Sequence, residues 1–429
     1  MIVGGMLFLF SLLLLIYMAN RYGGEQRQEL VWCIASAFVA RILMMWLGSE
    51  FPWFSGGVEG DWTGYERVSV LVARMWQRDS LFYVTSDHIA GLGHVSLPMN
   101  IFGFIFFLNG GESTRLGGAS VVALVACLTG LNFYLLAKEL RMSSKQALTM
   151  TAGLMFLPSI FLYTSHMYKD GFVLALCFGT VAAAVRLSKK FSALQVVICL
   201  SCLALLWLVR HYLMFAAAIP VAIGIIGVGS KSFVRPALMM LAAFFAVVVI
   251  GSYTDVFDTL GNEAQRTFEN GTARNVVESN MAGGSGIDFD DNDDPWSQLP
   301  LKLAYTLFAP FIWGAGSLAF QLGKIDGLFM TFALWRIARY LPRLWRNEPT
   351  VTAMLLAFVL PMSIAYATGV SNVGLIVRQR MPLTISIAFL ALLTYRKQQV
   401  PQAQAREASP RVRRIPIVRP PVQRPISAP

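Results

Sequence analysis

Residues 2–19 read IVGGMLFLFSLLLLIYMA, an uncharged apolar run. A helix needs about 20 such residues to cross the hydrocarbon core of a bilayer. Comparable runs recur along the 429-residue chain, which is 56% hydrophobic and only 14% charged, with a mean hydropathy of +0.58. The first run lacks the basic start and the small-residue cleavage site of a signal peptide, so we expect it to be retained as a span. The sequence therefore predicts an all-α, polytopic transmembrane helix bundle.

Apolar windows predict about 11 spans. They lie near residues 2–19, 30–48, 119–137, 147–165, 171–187, 193–209, 212–229, 236–254, 326–342, 350–368 and 381–395. Two further apolar stretches, 95–108 and 300–319, are interrupted by Pro and Gly and are ambiguous between crossing and not crossing. We interpret both as re-entrant or interfacial helices, which a membrane tolerates where protein or water covers the backbone.

The distribution of charge predicts the orientation of these spans. With the N-terminus outside, most basic residues fall in the inner segments and most acidic residues in the outer segments, as the positive-inside rule requires. The net charge of +11 then reflects orientation and contact with anionic lipid at the inner face. No nucleic-acid partner is needed to explain it. The predicted location is the plasma (inner) membrane, with a cytoplasmic C-terminus.

This topology divides the chain into six parts. They are the first two spans (1–48), an outer loop with juxtamembrane helices (49–118), a transmembrane core (119–254), an acidic outer loop with a re-entrant helix (255–325), the C-terminal spans (326–395) and a disordered basic tail rich in Pro and Arg (396–429). The acidic loop contains DFDDNDD at 288–294, which is either a loose divalent-cation site with alternating oxygen ligands or, as we favour, a solvated acidic loop. Its sixth position is Asp293 rather than Gly and its twelfth is Leu299 rather than Glu, so it fails the calcium-loop pattern. No resident metal or cofactor is predicted.

The first outer loop contains a candidate catalytic carboxylate, Asp61. It opens a short amphipathic helix whose apolar stripe recurs at helical spacing, at Val68, Leu71, Val72 and Met75. Asp61 and Tyr65 are four residues apart and share a face of this helix. Asp61 is either a helix cap or a general base at the membrane surface, hydrogen-bonded to Tyr65 and open to an acceptor hydroxyl.

The order of features after Asp61 resembles a known family. GHVSLP (93–98) is followed by an apolar stretch, then GGESTR (110–115), then a span that ends with YLLA (134–137). Over residues 30–190 this order resembles the lipid-dependent, C-type membrane glycosyltransferases, such as protein O-mannosyltransferases and aminoarabinose transferases. The chain has a single Asp61 preceded by Gly where that family has paired carboxylates, and Pro98 where it has a double proline. The resemblance implies a C-type glycosyltransferase-like bundle and a catalytic role for Asp61.

Basic residues at the outer ends of the spans are candidates for binding a lipid-linked phosphate. Fixed cations would stabilise the charge that develops on a phosphate leaving group, and arginine can do so with two parallel hydrogen bonds. The candidates are Arg378, Arg380, Lys169, Arg210, His211 and Arg41. Other interpretations remain open: Lys169 and Asp170 can form an interfacial ion pair, Arg210 can extend to lipid headgroups, and His211 can be structural.

Three functions are compatible with these features. The first is a membrane glycosyltransferase that moves a sugar from a polyprenyl-phosphate-linked donor to a glycan or lipid acceptor on the outer face, with Asp61 and Tyr65 as the catalytic residues. The second is a polymerase of lipid-linked polysaccharide repeat units, which would depend more on Arg378 and Arg380. The third, a non-catalytic transporter or flippase of lipid-linked sugars, predicts ionisable residues at mid-membrane, where only Arg41 clearly lies. The oligomeric state is not predicted.

Overall fold

The computed structural model describes residues 2–51, 61–89, 92, 96–226, 286–287, 289, 296–316, 318–369 and 372–396. Three predictions fall largely or wholly outside these residues: the span at 236–254, most of the acidic loop at 255–299, and the disordered tail. The divalent-cation motif at 288–294 also lies almost entirely outside them. The described chain is helical and contains no β-strand. A single isolated bridge joins Gly286 and Asn372.

Fourteen α-helices are described, numbered here in chain order. They are α1 (Ile2–Tyr22), α2 (Arg27–Glu50), α3 (Asp61–Arg78), α4 (Ser96–Leu108), α5 (Arg115–Glu139), α6 (Ser144–Met155), α7 (Pro158–Leu162), α8 (Asp170–Lys189), α9 (Ala193–Ile226), α10 (Leu299–Phe308), α11 (Leu318–Asn347), α12 (Pro349–Gly369), α13 (Val373–Gln379) and α14 (Met381–Leu393).

Within the described residues, six helical segments are long and apolar enough to cross a membrane. They are Ile2–Tyr22, Gly24–Glu50, Arg115–Glu139, Asp170–Lys189, Ala193–Arg210 and Pro349–Thr368. Helices α13 and α14 together make a seventh candidate, bent by 55° between them. The prediction of an all-helical membrane protein is therefore confirmed, while the count of 11 spans stays a prediction.

The segment predicted as one span at 147–165 consists instead of two short helices. α6 ends at Met155 and α7 begins at Pro158, after Leu157 in an extended conformation (φ −63°, ψ 127°). Proline has no N–H to continue the hydrogen bonds of α6, and it disfavours a helical conformation in the residue before it. α7 then ends at Leu162, and the chain runs without regular helix to Lys169.

The centre of the bundle is formed by α5, α8 and α14. Every residue of α14 from Met381 to Leu393 is buried. Phe133, Phe178 and Phe389, one from each helix, meet with ring centroids 5.2–6.0 Å apart. By contrast, α1 and α2 leave large apolar side chains exposed, including Met6, Phe10 and Trp32. An exposed apolar surface of this kind on long helices is what contact with lipid requires.

Polar contacts distinguish the two ends of the bundle. At one end α5 and α8 finish, and Arg186 on α8 pairs with Glu139 on α5 at 2.8 Å. At the same end Lys189 pairs with Glu348, and the Tyr134 hydroxyl donates to the carbonyl of Gly23 at 2.9 Å. We call this the basic end. We call the other, where α5 and α8 begin, the Asp61 end.

Candidate functional site

Four charged side chains from distant parts of the chain meet at the Asp61 end. Asp61 is the first residue of α3, and Asp170 is the first residue of α8. Arg210 is the extended residue (φ −163°, ψ 85°) at which α9 kinks, and Arg378 lies in the last turn of α13. The helix break at Arg210 and the short α13 therefore bring both arginines to the helix starts that carry the carboxylates.

Arg378 is the centre of this group. Its Nη1 donates a hydrogen bond to the carboxylate of Asp61, and its Nε donates to Oδ2 of Asp170 at 2.6 Å. The side chain of Arg378 is 8% exposed and that of Asp170 is 1% exposed, whereas the side chain of Asp61 is 62% exposed. Arg378 thus joins the buried carboxylate of Asp170 to the carboxylate of Asp61, which is accessible from the surface.

Asp170 also faces a second arginine. Nη2 of Arg210 lies 3.8 Å from Oδ1 of Asp170. Among the described residues, that Oδ1 atom and Nη1 of Arg210 are buried without a hydrogen-bond partner. The carboxylate of Asp170 therefore pairs with Arg378 and Arg210, which the interpretation of Lys169 and Asp170 as a simple ion pair did not anticipate.

Lys169 adds a third cation beside the two arginines. Burial and, next in size, the positive charge of nearby Arg210 together lower the pKa of Lys169 to about 7. When Lys169 is protonated, three cations face the carboxylates of Asp61 and Asp170. The group then has an excess of positive charge, which suits an anionic ligand.

Tyrosine rings line the group. The guanidinium carbon of Arg378 lies 4.7 Å from the ring centroid of Tyr168 and 5.8 Å from that of Tyr163, within the range of cation–π contact. Burial raises the pKa of Tyr65 to about 12, so its hydroxyl stays protonated at neutral pH. The hydrogen bond that Asp61 accepts comes from Arg378, and the described residues show none from Tyr65.

A second set of contacts holds the start of α3 against the bundle. The indole of Trp62 stacks on the imidazole of His166, with centroids 5.3 Å apart, and Arg115 covers the Trp62 ring at 5.0 Å. Arg115 also pairs with Glu66 on α3 at 3.1 Å. Burial, followed by the charge of Arg115, lowers the pKa of His166 to about 4, so the stacked ring is neutral at physiological pH.

Two glycines make room for the loop at 163–169. A Cβ atom on Gly48 of α2 would lie 2.7 Å from Nε2 of His166, and one on Gly118 of α5 would collide with the side chain of Met167. Both contacts would be closer than real Cβ atoms approach other atoms. The loop that leads to Lys169 and Asp170 is thus seated against helix surfaces that have no side chain at these points.

Arg41 lies inside the bundle and not in the charged group. It is fully buried, and its three nitrogens donate to Thr164 Oγ1 (2.8 Å), the Ala37 carbonyl (2.9 Å) and the Met155 carbonyl (2.8 Å). Met155 ends α6 and Thr164 follows α7. Arg41 therefore binds the helix break, and the structure does not bring it to the other candidate phosphate-binding residues.

Asp326 on α11 binds the first turn of α7. It is fully buried, and it accepts hydrogen bonds from the backbone N–H of Ser159, at 3.1–3.2 Å, and from the Ser159 hydroxyl. A negative charge is favourable at a helix N-terminus and a positive charge at a C-terminus. Asp326 thus fixes the first turn of α7, and Arg41 binds the residues that flank the helix.

The remaining candidates have different surroundings. Arg380 is fully buried, and its Nη1 donates to the carbonyls of Thr306 and Leu307, each at 3.3 Å. Its Nε and Nη2 have no hydrogen-bond partner among the described residues. It therefore lies beneath the surface and away from the contacts of Arg378. His211 follows the kink of α9, and its side chain is outside the described part of the structure.

Sequence reasoning did not select Asp170, Tyr163, Tyr168 or Asp326 as site residues. A signal existed for Asp170, because a carboxylate directly preceding an apolar span and following a lysine is uncommon and needs a partner. Within the described residues, no cluster of three or more His, Cys, Asp or Glu side chains is arranged to hold a metal ion.

Comparisons with known proteins add no family assignment. No family model matches the chain, and no curated protein and no solved structure matches it either.

Proposed function

We propose that the protein is a membrane glycosyltransferase that uses a polyprenyl-phosphate-linked sugar as its donor. The observation that carries the proposal is the accessible carboxylate of Asp61, which is held by Arg378 at the edge of a buried group rich in cations. A reaction that deprotonates an acceptor and releases a phosphate needs both a carboxylate and fixed positive charge. The resemblance of residues 30–190 to the lipid-dependent glycosyltransferases supports the same chemistry.

In this reaction, the bond between the anomeric carbon of the sugar and a phosphate oxygen breaks. A new bond joins that carbon to the oxygen of the acceptor hydroxyl. The hydroxyl proton passes to the carboxylate of Asp61, and the electron pair of the broken bond leaves with the polyprenyl phosphate. The phosphate gains one negative charge, which Lys169, Arg210 and Arg378 would stabilise.

The proposed orientation places the Asp61 end at the outer face of the plasma membrane. The basic end carries Arg186, Lys189 and Lys190, together with the arginines in the last turns of α11. Cytoplasmic loops are enriched in lysine and arginine, which supports a cytoplasmic location for the basic end. A polyprenyl-linked donor would then reach Asp61 from the outer leaflet.

Asp61→Asn tests the catalytic role directly. The amide keeps an oxygen for the hydrogen bond from Arg378 but accepts no proton, so we expect an inserted, folded protein whose transfer rate falls by about 10²–10⁴-fold. The assay uses the full chain in vesicles with a radiolabelled polyprenyl-phosphate hexose and host membranes as the source of acceptor, and it measures released polyprenyl phosphate.

Asp79→Asn is the matched control, because Asp79 is an exposed carboxylate that directly follows α3. It should retain the activity of the unmodified protein. Equal rates for Asp61→Asn and Asp79→Asn would exclude Asp61 as the base.

A repeat-unit polymerase is the second candidate. It is favoured by the position of Arg378, which contacts both carboxylates and lies at the centre of the charged group. A polymerase that depends on this arginine would lose chain extension in Arg378→Lys and would accumulate single lipid-linked repeat units. Chain extension that survives Asp61→Asn would favour the polymerase, whereas loss of transfer in Asp61→Asn would favour the glycosyltransferase.

A further inference from the structure

A cavity of about 460 Å³ lies at the basic end, between α5, α8 and the start of α9. Its volume is within the range of about 300–1,000 Å³ that is typical of ligand sites. It shares no residue with the charged group at the Asp61 end. The two are separated by the length of α8, whose 20 residues rise about 30 Å.

The polar lining of this cavity offers both positive charge and hydrogen-bond acceptors. Arg186 uses Nε for Glu139 and Nη2 for Asn132 (2.9 Å), and Lys189 pairs with Glu348. Lys190 is exposed at the mouth, and the described residues place no ion-pair partner beside it. Lys190 is therefore the cation that is available to a ligand.

Two acceptors complement this cation. The Oε1 atom of Gln195 is buried and has no hydrogen-bond partner among the described residues. Glu139, which accepts from Arg186 through Oε2, is 47% exposed. A buried acceptor without a donor costs free energy, so a ligand that supplies a hydrogen-bond donor would be favoured there, and the negative charge of Glu139 favours a cationic donor such as an ammonium group.

The location and the walls of the cavity indicate a lipid. It lies where candidate membrane spans end or begin, at Glu139, Lys189 and Ala193, which is the depth of the headgroups. Its walls include Leu136, Leu140, Val185 and Phe191, and Phe191 is 43% exposed. Basic pockets between transmembrane helices on the cytoplasmic side bind the phosphates of lipid headgroups, as those of cardiolipin and phosphoinositides show.

We propose that this cavity binds the headgroup of an amine-bearing phospholipid of the phosphatidylethanolamine class. Lys190 binds the phosphate, and Gln195 and Glu139 accept hydrogen bonds from the ammonium group. The acyl chains lie along the apolar wall. This site is independent of the proposed transferase activity.

Native mass spectrometry of the full-length protein tests the site. The protein, in detergent, is offered phosphatidylethanolamine, phosphatidylglycerol and phosphatidylcholine with identical acyl chains. We expect a single retained phosphatidylethanolamine, bound at least about fivefold more strongly than the others. Phosphatidylglycerol has no ammonium group, and the quaternary ammonium of phosphatidylcholine has no N–H to donate. Equal retention of the three lipids would overturn the proposal.

Variants then assign the binding to the cavity. Lys190→Ala and Gln195→Leu should each reduce retained phosphatidylethanolamine to the level of phosphatidylglycerol. Lys145→Ala, which removes an exposed cation at the same end outside the cavity, should leave it unchanged. Lys190 is exposed, so its variant remains informative even where Gln195→Leu fails to fold. Unchanged retention in Lys190→Ala would refute the assignment.

Soluble phosphoethanolamine distinguishes a lipid from a free phosphate compound. The lipid proposal predicts that millimolar phosphoethanolamine displaces little phosphatidylethanolamine, because it lacks the acyl chains that contact Phe191 and Leu140. Displacement at concentrations comparable to those of the lipid would show a site for soluble phosphates and would overturn the lipid assignment.

Discussion

At the scale of single residues, Asp170 is the buried counterion on which two arginines depend. Its side chain is 1% exposed, with Nε of Arg378 at 2.6 Å and Nη2 of Arg210 at 3.8 Å. Removing one partner of a buried ion pair leaves an uncompensated charge, whereas removing a partner from an exposed pair has little effect.

Asp170→Ala should therefore lower the free energy of unfolding by about 3–5 kcal/mol. Glu139→Ala breaks the more exposed pair with Arg186 and should lower it by no more than about 1 kcal/mol. Denaturant titration of both variants in the same detergent measures the difference. Similar losses in the two variants would contradict the importance of Asp170.

Lys169 gives the site a pH dependence near neutrality. Its pKa of about 7 means that the cation is present below pH 7 and is lost as the pH rises, which leaves two arginines facing two carboxylates. Binding of an anion raises the pKa of Lys169, so the midpoint in the complex lies above 7. His166, with a pKa of about 4, stays neutral throughout this range.

The affinity for a polyprenyl-phosphate sugar should fall about 10-fold between pH 6 and pH 9, as one charged hydrogen bond is lost. The donor is a phosphodiester, which does not itself titrate in this range. Equilibrium binding should show that Lys169→Arg keeps the affinity at pH 9, while Lys169→Met is weak at both pH values. A pH profile unchanged in Lys169→Met would assign the titration to another group.

The free energy of unfolding also depends on pH through Lys169. The pKa of Lys169 is about 7 in the folded protein and ordinarily 10.5. Between these two pH values the unfolded chain therefore binds more protons than the folded protein. Lys169 therefore lowers the free energy of unfolding below pH 7. This destabilisation decreases as the pH rises from about 7 to about 10.5.

At the scale of elements, the five-residue helix α7 is the part of the bundle that depends most on side chains from elsewhere. Such a short helix is not stable by itself. Arg41 binds residues on both of its sides, and Asp326 binds its first turn. The loop at 163–169, which leads to the charged group, follows directly.

Arg41→Lys should loosen this segment, because one ammonium group cannot reproduce a guanidinium that reaches three separate acceptors. Hydrogen exchange of the amides between residues 156 and 169 should accelerate at least about 10-fold, equivalent to about 1.4 kcal/mol of local stability. Arg21→Lys, on the exposed end of α1, is the control and should leave these amides unchanged. Slow exchange in Arg41→Lys would show that α7 is held without Arg41.

The helix break at Pro158 also shows where sequence reasoning stops. Hydropathy correctly predicts apolar helices at 2–19, 30–48, 119–137 and 171–187, because lipid contact fixes their composition. A window of that kind averages over Pro158, and so it merges α6, α7 and the following loop into one span. The break is stabilised by Arg41 and Asp326, which are 117 or more residues away from Pro158.

Single residues of the charged group could be predicted from the sequence, but the contacts between them could not. Asp61 and Arg378 could each be selected from the sequence, since each is a charge beside an apolar segment. Their contact joins residues 317 positions apart and depends on the packing of α3, α8 and α13. Arg41 and Arg380 share the same sequence signal as Arg378, but packing directs them to backbone carbonyls.

At the scale of the whole molecule, the separation of the Asp61 end from the basic end makes the proposed orientation measurable. Ser86 is exposed in the segment after α3, and Lys145 is exposed at the basic end. A chain inserted as proposed has these residues on opposite sides of the membrane.

Single cysteines at the two positions test this arrangement in a background whose five native cysteines are replaced by serine. In intact cells, a membrane-impermeant maleimide should label Ser86→Cys and should label Lys145→Cys only after permeabilisation. The reverse pattern would place the Asp61 end in the cytoplasm, where the positive-inside rule does not expect it.

The two glycines beneath the 163–169 loop have a consequence for tracing the ancestry of this chain. A Cβ atom at Gly48 or Gly118 would lie within 3 Å of the side chain of His166 or Met167, so a larger residue there would require that side chain to shift. We therefore expect relatives of this chain to keep small residues at both positions even where the lipid-facing helices have diverged. A genome search that requires these glycines together with Asp61, Asp170 and Arg378 should detect distant relatives that overall similarity misses.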